Sequence, residues 1–130
     1  MTPQEIQERN KQIAVMLGWN EATLEYKLRW CAVPTEERLN RLDQDDVPIL
    51  MKENKDPLWS SSLLWHSDWN WLMEAVEFIE KVYNNQPIYF GHKNCVIFSP
   101  KTIKSKGKDK KEAVFIAVSD FAKLYNEKKL

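Results

Sequence analysis

The chain has 130 residues, of which 43% are hydrophobic, 12% aromatic and 29% charged; that is enough for one domain burying roughly 65–70% of its unfolded surface, and it excludes wholesale disorder. No stretch approaches the roughly 20 apolar residues of a membrane span, and the polar residues 2–12 before a short apolar run, Ile13–Leu17, do not read as a secretory leader, so the expectation is a cytoplasmic protein with reduced thiols at Cys31 and Cys95. The formal charge of zero hides an asymmetry, because residues 1–100 hold 10 Lys plus Arg against 15 Asp plus Glu, and residues 101–130 hold 9 against 4.

The chain opens Thr2-Pro3-Gln4-Glu5. Thr2 suits a helix cap, Pro3 the first helical position, and Glu5 can bond back to the cap. Ile6, Ile13, Ala14 and Leu17 fall on one side of the helix this predicts, and Gly18 supplies its stop. From Leu24 to Val33 the residues alternate closely, with Cys31 and Val33 making the second face apolar toward its end, which predicts a strand that Pro34 ends. Residues 35–61 read as an irregular connection, since Asp43, Asp45, Asp46, Pro48 and Pro57 interrupt any long element. Leu63–Trp65 then reads as a short strand, and Ser67 as the cap of a second helix that starts at Asp68 and runs to about Tyr83. Two apolar stripes mark that helix: Trp69, Leu72, Val76, Ile79 and Tyr83 form one, and Trp71, Ala75, Phe78 and Val82 the other. Asn84–Pro87 turns the chain into a hairpin of Ile88–Phe90 and Cys95–Phe98 around Gly91–Asn94. Residues 101–110 read as a lysine-rich loop. A last helix begins near Asp109 or Lys110, with Val114, Ala117, Val118, Phe121 and Tyr125 on one face and a frayed end from Asn126 to Leu130. The expected fold is α+β over a single domain, 1–130: a largely antiparallel sheet of three to four strands with three helices packed on it, in layers as an α-β-α sandwich.

Catalytic constellations fare poorly. His66, Ser67 and Asp68 are the residue types of a nucleophilic triad, but three consecutive positions in a turn diverge, whereas a triad must converge. His92 and Cys95 with His66 and Cys31 supply only one close ligand pair, short of the usual zinc pattern. Glu74, Glu77 and Glu80 form the wet side of an amphipathic helix. Only three glycines, Gly18, Gly91 and Gly107, are present and far apart, so no phosphate-cradling loop forms. No enzyme, cofactor or metal is expected.

Two binding constellations stand out. Trp65, His66, Asn70 and Trp71 surround a strand-to-helix junction that reads first as packed core, and otherwise as a pocket where aromatic rings and a helix amino end could hold a planar, anionic ligand such as a nucleotide. Spacing places Trp69 in the core and leaves Trp65 or Trp71, with His66, to face a ligand or partner. Lys101, Lys104, Lys106, Lys108, Lys110 and Lys111 could touch phosphates or an acidic protein surface, in a weak, sequence-blind way because arginine and aromatics are missing from the segment.

The run Leu64-Trp65-His66-Ser67-Asp68-Trp69-Asn70-Trp71-Leu72-Met73, with Val76-Glu77 and Ile79-Glu80, resembles a group of small uncharacterised proteins of Bacteroidetes phages and prophages that share an aromatic-His-Ser-x-Trp-x-Trp-Leu-Met signature. Ile13-Ala14, Leu17-Gly18-Trp19, Glu112-Ala113-Val114, Phe121 and Tyr125-Asn126-Glu127 extend the likeness to about half of the chain. Glu74 stands where that pattern has proline. The group is similar in turn to the phage α-β-α sandwich domain, so the resemblance implies that fold and names no catalytic residue. It implies a phage or prophage binding protein in the host cytoplasm, one that interferes with a host process or defence system by occluding a protein or sequestering a nucleotide, as a possible homo-oligomer. The alternative is a nucleic-acid accessory protein using the segment 101–111.

Overall fold

The computed structural model describes residues 1–21, 49–51, 58–59, 63–83, 88–98 and 101–129. The expected strand 24–33, the turn 84–87 and most of the connection 35–61 lie outside the described residues. Where the sequence suggests one domain, the chain divides into two compact units: residues 18–63, and residues 1–17 with 64–130.

Within residues 18–63, β1 (Asn20–Glu21), β2 (Ile49–Met51) and β3 (Leu58–Trp59) form an antiparallel sheet in that order, with Asn20 opposite Met51 and Ile49 opposite Trp59. The stretch expected to be an irregular connection therefore contains two strands.

The other unit begins as its residue types dictate. Thr2 is extended and its hydroxyl accepts from the Glu5 amide at 3.2 Å, Pro3 takes the first helical position, and α1 spans Pro3–Met16. Gly18, at φ 95°, provides the left-handed residue that a side chain would resist. Ile13 and Ala14 are fully buried and Leu17 nearly so. Asn10, one turn before Ala14, shares that buried face at 2% exposure.

Four elements follow α2 (Trp69–Val82): β4 (Ile88–Phe90), β5 (Asn94–Ile97), β6 (Ile103–Lys106) and α3 (Lys110–Asn126). The three strands make an antiparallel sheet in the order β4-β5-β6, with Ile88, Ile97 and Ile103 in one cross-strand row, Tyr89, Val96 and Lys104 in the next, and Phe90, Cys95 and Ser105 in the third. The α+β class stands as expected, with three helices and antiparallel three-stranded sheets among the described residues.

The last helix organises this unit. Ala113, Val114, Phe115, Ala117, Val118, Ser119, Phe121 and Ala122 are all buried, a band too wide for one contact, and α3 packs against α1, α2, β5 and β6. Its alanines let neighbouring backbones approach, while Phe115 and Phe121, both fully buried, each contribute roughly 1.5–3 kcal/mol of hydrophobic stabilisation. On the α1 side, Arg9 donates to Ser119 Oγ and Asp120 Oδ1 at 2.8 Å each, and Asn126 Nδ2 donates to the Gln12 carbonyl at 2.9 Å. That last bond holds the residue where fraying was expected to begin. On the α2 side, Phe121 meets Tyr83 edge-on at 5.5 Å and Tyr125 meets Phe78 at 5.8 Å. On the sheet side, the Ser105 hydroxyl donates to the Ala113 carbonyl.

Three expectations need correction. Leu63–Trp65 is not a strand; Trp65–Ser67 is a turn in which the Ser67 and Asp68 amides both donate to the Leu64 carbonyl, at 3.0 and 2.8 Å. The cap of α2 is Asp68 rather than Ser67, its carboxylate accepting from the Asn70 amide at 2.8 Å and the Trp71 amide at 3.4 Å. A carboxylate there also meets the positive helix end, which a serine cannot do. The lysine-rich loop expected at 101–110 contains β6, in which Ile103 and Ser105 are buried and Lys104 and Lys106 exposed. The high lysine content masked a clean period-two alternation. Among the described residues, α3 covers one face of the β4-β5-β6 sheet.

Candidate functional site

The tryptophan junction is largely core. Trp65 is 2% exposed and meets Trp71 edge-on at 4.9 Å and 75°, so its ring offers no face to a ligand. Trp71 is half-buried against it, and Asn70 is exposed on the first turn of α2. The expected roles of the tryptophans are exchanged, since Trp69 is 37% exposed. Stripe analysis gives a direction around a helix but not the level at which a neighbour begins. At the level of Trp69, α3 presents Lys111, whose ammonium lies 5.9 Å from the Trp69 ring centroid and donates to the Ser67 carbonyl at 3.1 Å.

His66 is half-buried, with its Nδ1 2.9 Å from the side-chain amide of Asn10. Burial lowers its pKa below the ordinary 6.5, so the ring is neutral near pH 7. A shallow cleft of about 310 Å³ gathers His66, Lys108, Asp109, Lys111, Glu112 and Phe115. Its cations are already engaged, Lys111 as above and Lys108 at 4.0 Å from Glu112, and two carboxylates share the cleft.

The six lysines of 101–111 separate into two groups. Lys108, Lys110 and Lys111 surround the start of α3, where Asp109 caps the helix by accepting from the Glu112 amide at 2.8 Å. Lys104 and Lys106 point away from α3 on the outer face of the sheet, and Lys101 precedes them, exposed. Cross-strand pairing sets Lys104 beside Val96, which has Tyr89 on its other side, and Lys106 beside Asn94. Tyr89 is 55% exposed, and Phe98, which follows β5 with the parity of Val96, is 45% exposed. The exposed Lys93 stands at the same end as Lys106, its carbonyl accepting from the Gly107 amide at 2.9 Å.

Strand pairing thus adds aromatic side chains to lysines whose own segment has none. Residues 81–108 contain Lys81, Lys93, Lys101, Lys104, Lys106 and Lys108 and not one Asp or Glu. That run of cations without carboxylates, together with the alternation Ile103-Lys104-Ser105-Lys106, is the sequence signal that points to this face. Tyr89 and Phe98 were legible only as strand residues, and their shared face came from the register.

Cys95, the described thiol, is fully buried on the α3 side of the sheet with its pKa pushed up to about 11 by burial, which keeps it protonated and unreactive. His92 is exposed in the preceding turn, and Cys31, the other residue in the zinc arrangement considered from sequence, lies outside the described residues. Among the described residues, no helix is long and apolar enough to cross a membrane. No family model, curated protein or solved structure matches the chain.

Proposed function

We propose that this protein binds nucleic acid through the outer face of β4-β5-β6, as an accessory protein rather than an enzyme. The observation that carries the reading is the positive charge of that face: Lys104 and Lys106 project from it, Lys93 and Lys101 flank it, and the segment that builds it holds no carboxylate. Lysines on an edge strand also serve to discourage sheet-to-sheet association. That role calls for charge on β6 alone, whereas here the cations extend to the turn before β5.

The tryptophan junction supports nucleotide sequestration less well, since Trp65 is sealed within the core. The signature running from Trp65 to Met73 suggests a phage or prophage setting, in which a sequence-blind nucleic-acid binder would compete with host machinery for the same strands.

The test is binding of a labelled oligonucleotide across salt. Neutralising three to four phosphates of a single strand should lower affinity about 20- to 50-fold between 50 and 200 mM salt. Replacing Lys104 and Lys106 together with alanine should weaken binding at low salt and flatten the salt slope by about 1.4, close to 0.7 for each lost contact. A slope unchanged in the double variant would sink the assignment to this face.

A further inference from the structure

Resting on the nucleic-acid reading above, we infer that the preferred ligand is single-stranded, held by its bases stacking on Tyr89 and Phe98 while Lys104, Lys106 and Lys93 follow its backbone. Duplex recognition asks for an element that enters a groove, and phosphate contacts alone make no distinction between one strand and two. This face has a different character. It is a three-stranded sheet about 10 Å across, with two exposed aromatic side chains on the side facing away from α3. Both rings are more than two-fifths exposed, and neither meets another ring among the described residues.

Tyr89 sits opposite Val96, so Phe98, two residues further, is its diagonal neighbour at roughly 7–8 Å. Two rings at that separation on one face can each take a base of an unstacked strand, with Val96 as apolar floor between them. Base-aromatic stacking tolerates any sequence because every base has a π-face. The cations begin level with Tyr89 and continue past it: Lys104 is in the same cross-strand row, and Lys106 and Lys93 are at the far end from Phe98. A strand laid from Phe98 over Tyr89 toward Lys106 would meet stacking groups first and phosphate partners after.

The inward neighbours are already occupied. Cys95, Ile97, Ile103 and Ser105 face α3 and are buried, which holds the outer residues on a fixed platform. Tyr89 and Phe98 therefore contribute little to the core, and replacing them should leave the melting temperature close to that of the wild type.

The experiment titrates the full chain with an unlabelled-competitor series of 15-nucleotide thymidine and mixed-sequence single strands, and with a hairpin duplex of equal phosphate count, at 50 mM salt. Expected is tighter binding of the single strands than of the duplex. Tyr89→Leu and Phe98→Leu should each weaken single-strand binding about 5- to 150-fold and change duplex binding less than about 2-fold, while Tyr89→Phe should restore the single-strand affinity. Thermal melts of each variant check folding, and Tyr89→Phe keeps the ring, so the inference survives or falls even where a leucine variant is unstable. Equal affinity for duplex and single strand, or leucine variants that bind single strands as the wild type does, would overturn it while leaving nucleic-acid binding intact. Loss of both ligands in the Lys104→Ala, Lys106→Ala variant alone, with the leucine variants unchanged, has the same consequence. No retention of either nucleic acid at 50 mM salt, or equal lysine-dependent binding of polyglutamate, overturns both readings together.

Discussion

His66 shows how burial sets the charge of a side chain. The half-buried imidazole lies with Nδ1 2.9 Å from the Asn10 side-chain amide. Protonating the ring would place a charge where burial disfavours it, which is the cause of the lowered pKa. The unfolded chain takes up this proton near pH 6.5, whereas the folded chain resists until a lower pH. In that window the unfolded state binds more protons, so the contribution of His66 to stability is complete above about pH 6.5 and is lost as pH falls toward the folded pKa. Urea unfolding of the wild type and of His66→Gln at pH 7.5 and pH 5.5 should show the larger loss on acidification in the wild type. Identical losses in the two proteins would mean that His66 titrates alike in the folded and unfolded states.

At the scale of elements, the β6–α3 connection brings backbone against backbone at Gly107. A Cβ on Gly107 would lie 2.6 Å from the Ala113 amide nitrogen and 3.0 Å from the Glu112 carbonyl carbon, and both belong to the helix backbone, which cannot swing aside. Gly107→Ala should therefore cost about 1–3 kcal/mol and lower the melting temperature by several degrees. At Gly91 the nearest obstacle is the Asn94 side chain, which can rotate, so Gly91→Ala should cost less. Calorimetry of the two variants ranks them, and a Gly107 variant as stable as the wild type would show that β6 and α3 are not held at this distance. The element types explain which expectations succeeded. Both terminal helices were legible because their caps, Thr2 and Asp109, and their apolar stripes are local signals. β6 was not, because lysine at two of four positions reads as solvated loop until Ile103 and Ser105 are seen to share a covered face.

For the molecule as a whole, charge follows the division into units. Residues 18–63 hold 6 Lys plus Arg against 9 Asp plus Glu, and the remaining residues hold 13 against 10. The larger unit owns α1, α2, α3, the β4-β5-β6 sheet and the proposed binding face, and its ends at residues 17 and 64 bracket the smaller one as an insertion. A chain in which residues 19–62 are replaced by a glycine-serine link is expected to unfold in one cooperative transition and to keep its salt-dependent binding of single strands. A broad, non-cooperative melt would show instead that the core around α3 requires the inserted residues.

The division between sequence and tertiary structure is clearest in the tryptophan run and the lysine run. Sequence by itself determined the α+β class, both ends of α1, the β4–β5 hairpin and the buried stripe of α3, because caps, turns and periodicity are set within a few residues of each other. It also located the two aromatic and cationic clusters without deciding their use. Only tertiary structure decided that Trp65 is core and Trp69 lies under Lys111, since the level at which one helix meets another depends on packing distant in sequence. The same holds for the face that unites Tyr89 with Lys104. They are 15 positions apart in the chain, and strand register, which cross-strand hydrogen bonds and the burial of Ile88, Ile97 and Ile103 enforce together, sets them in one cross-strand row on either side of Val96.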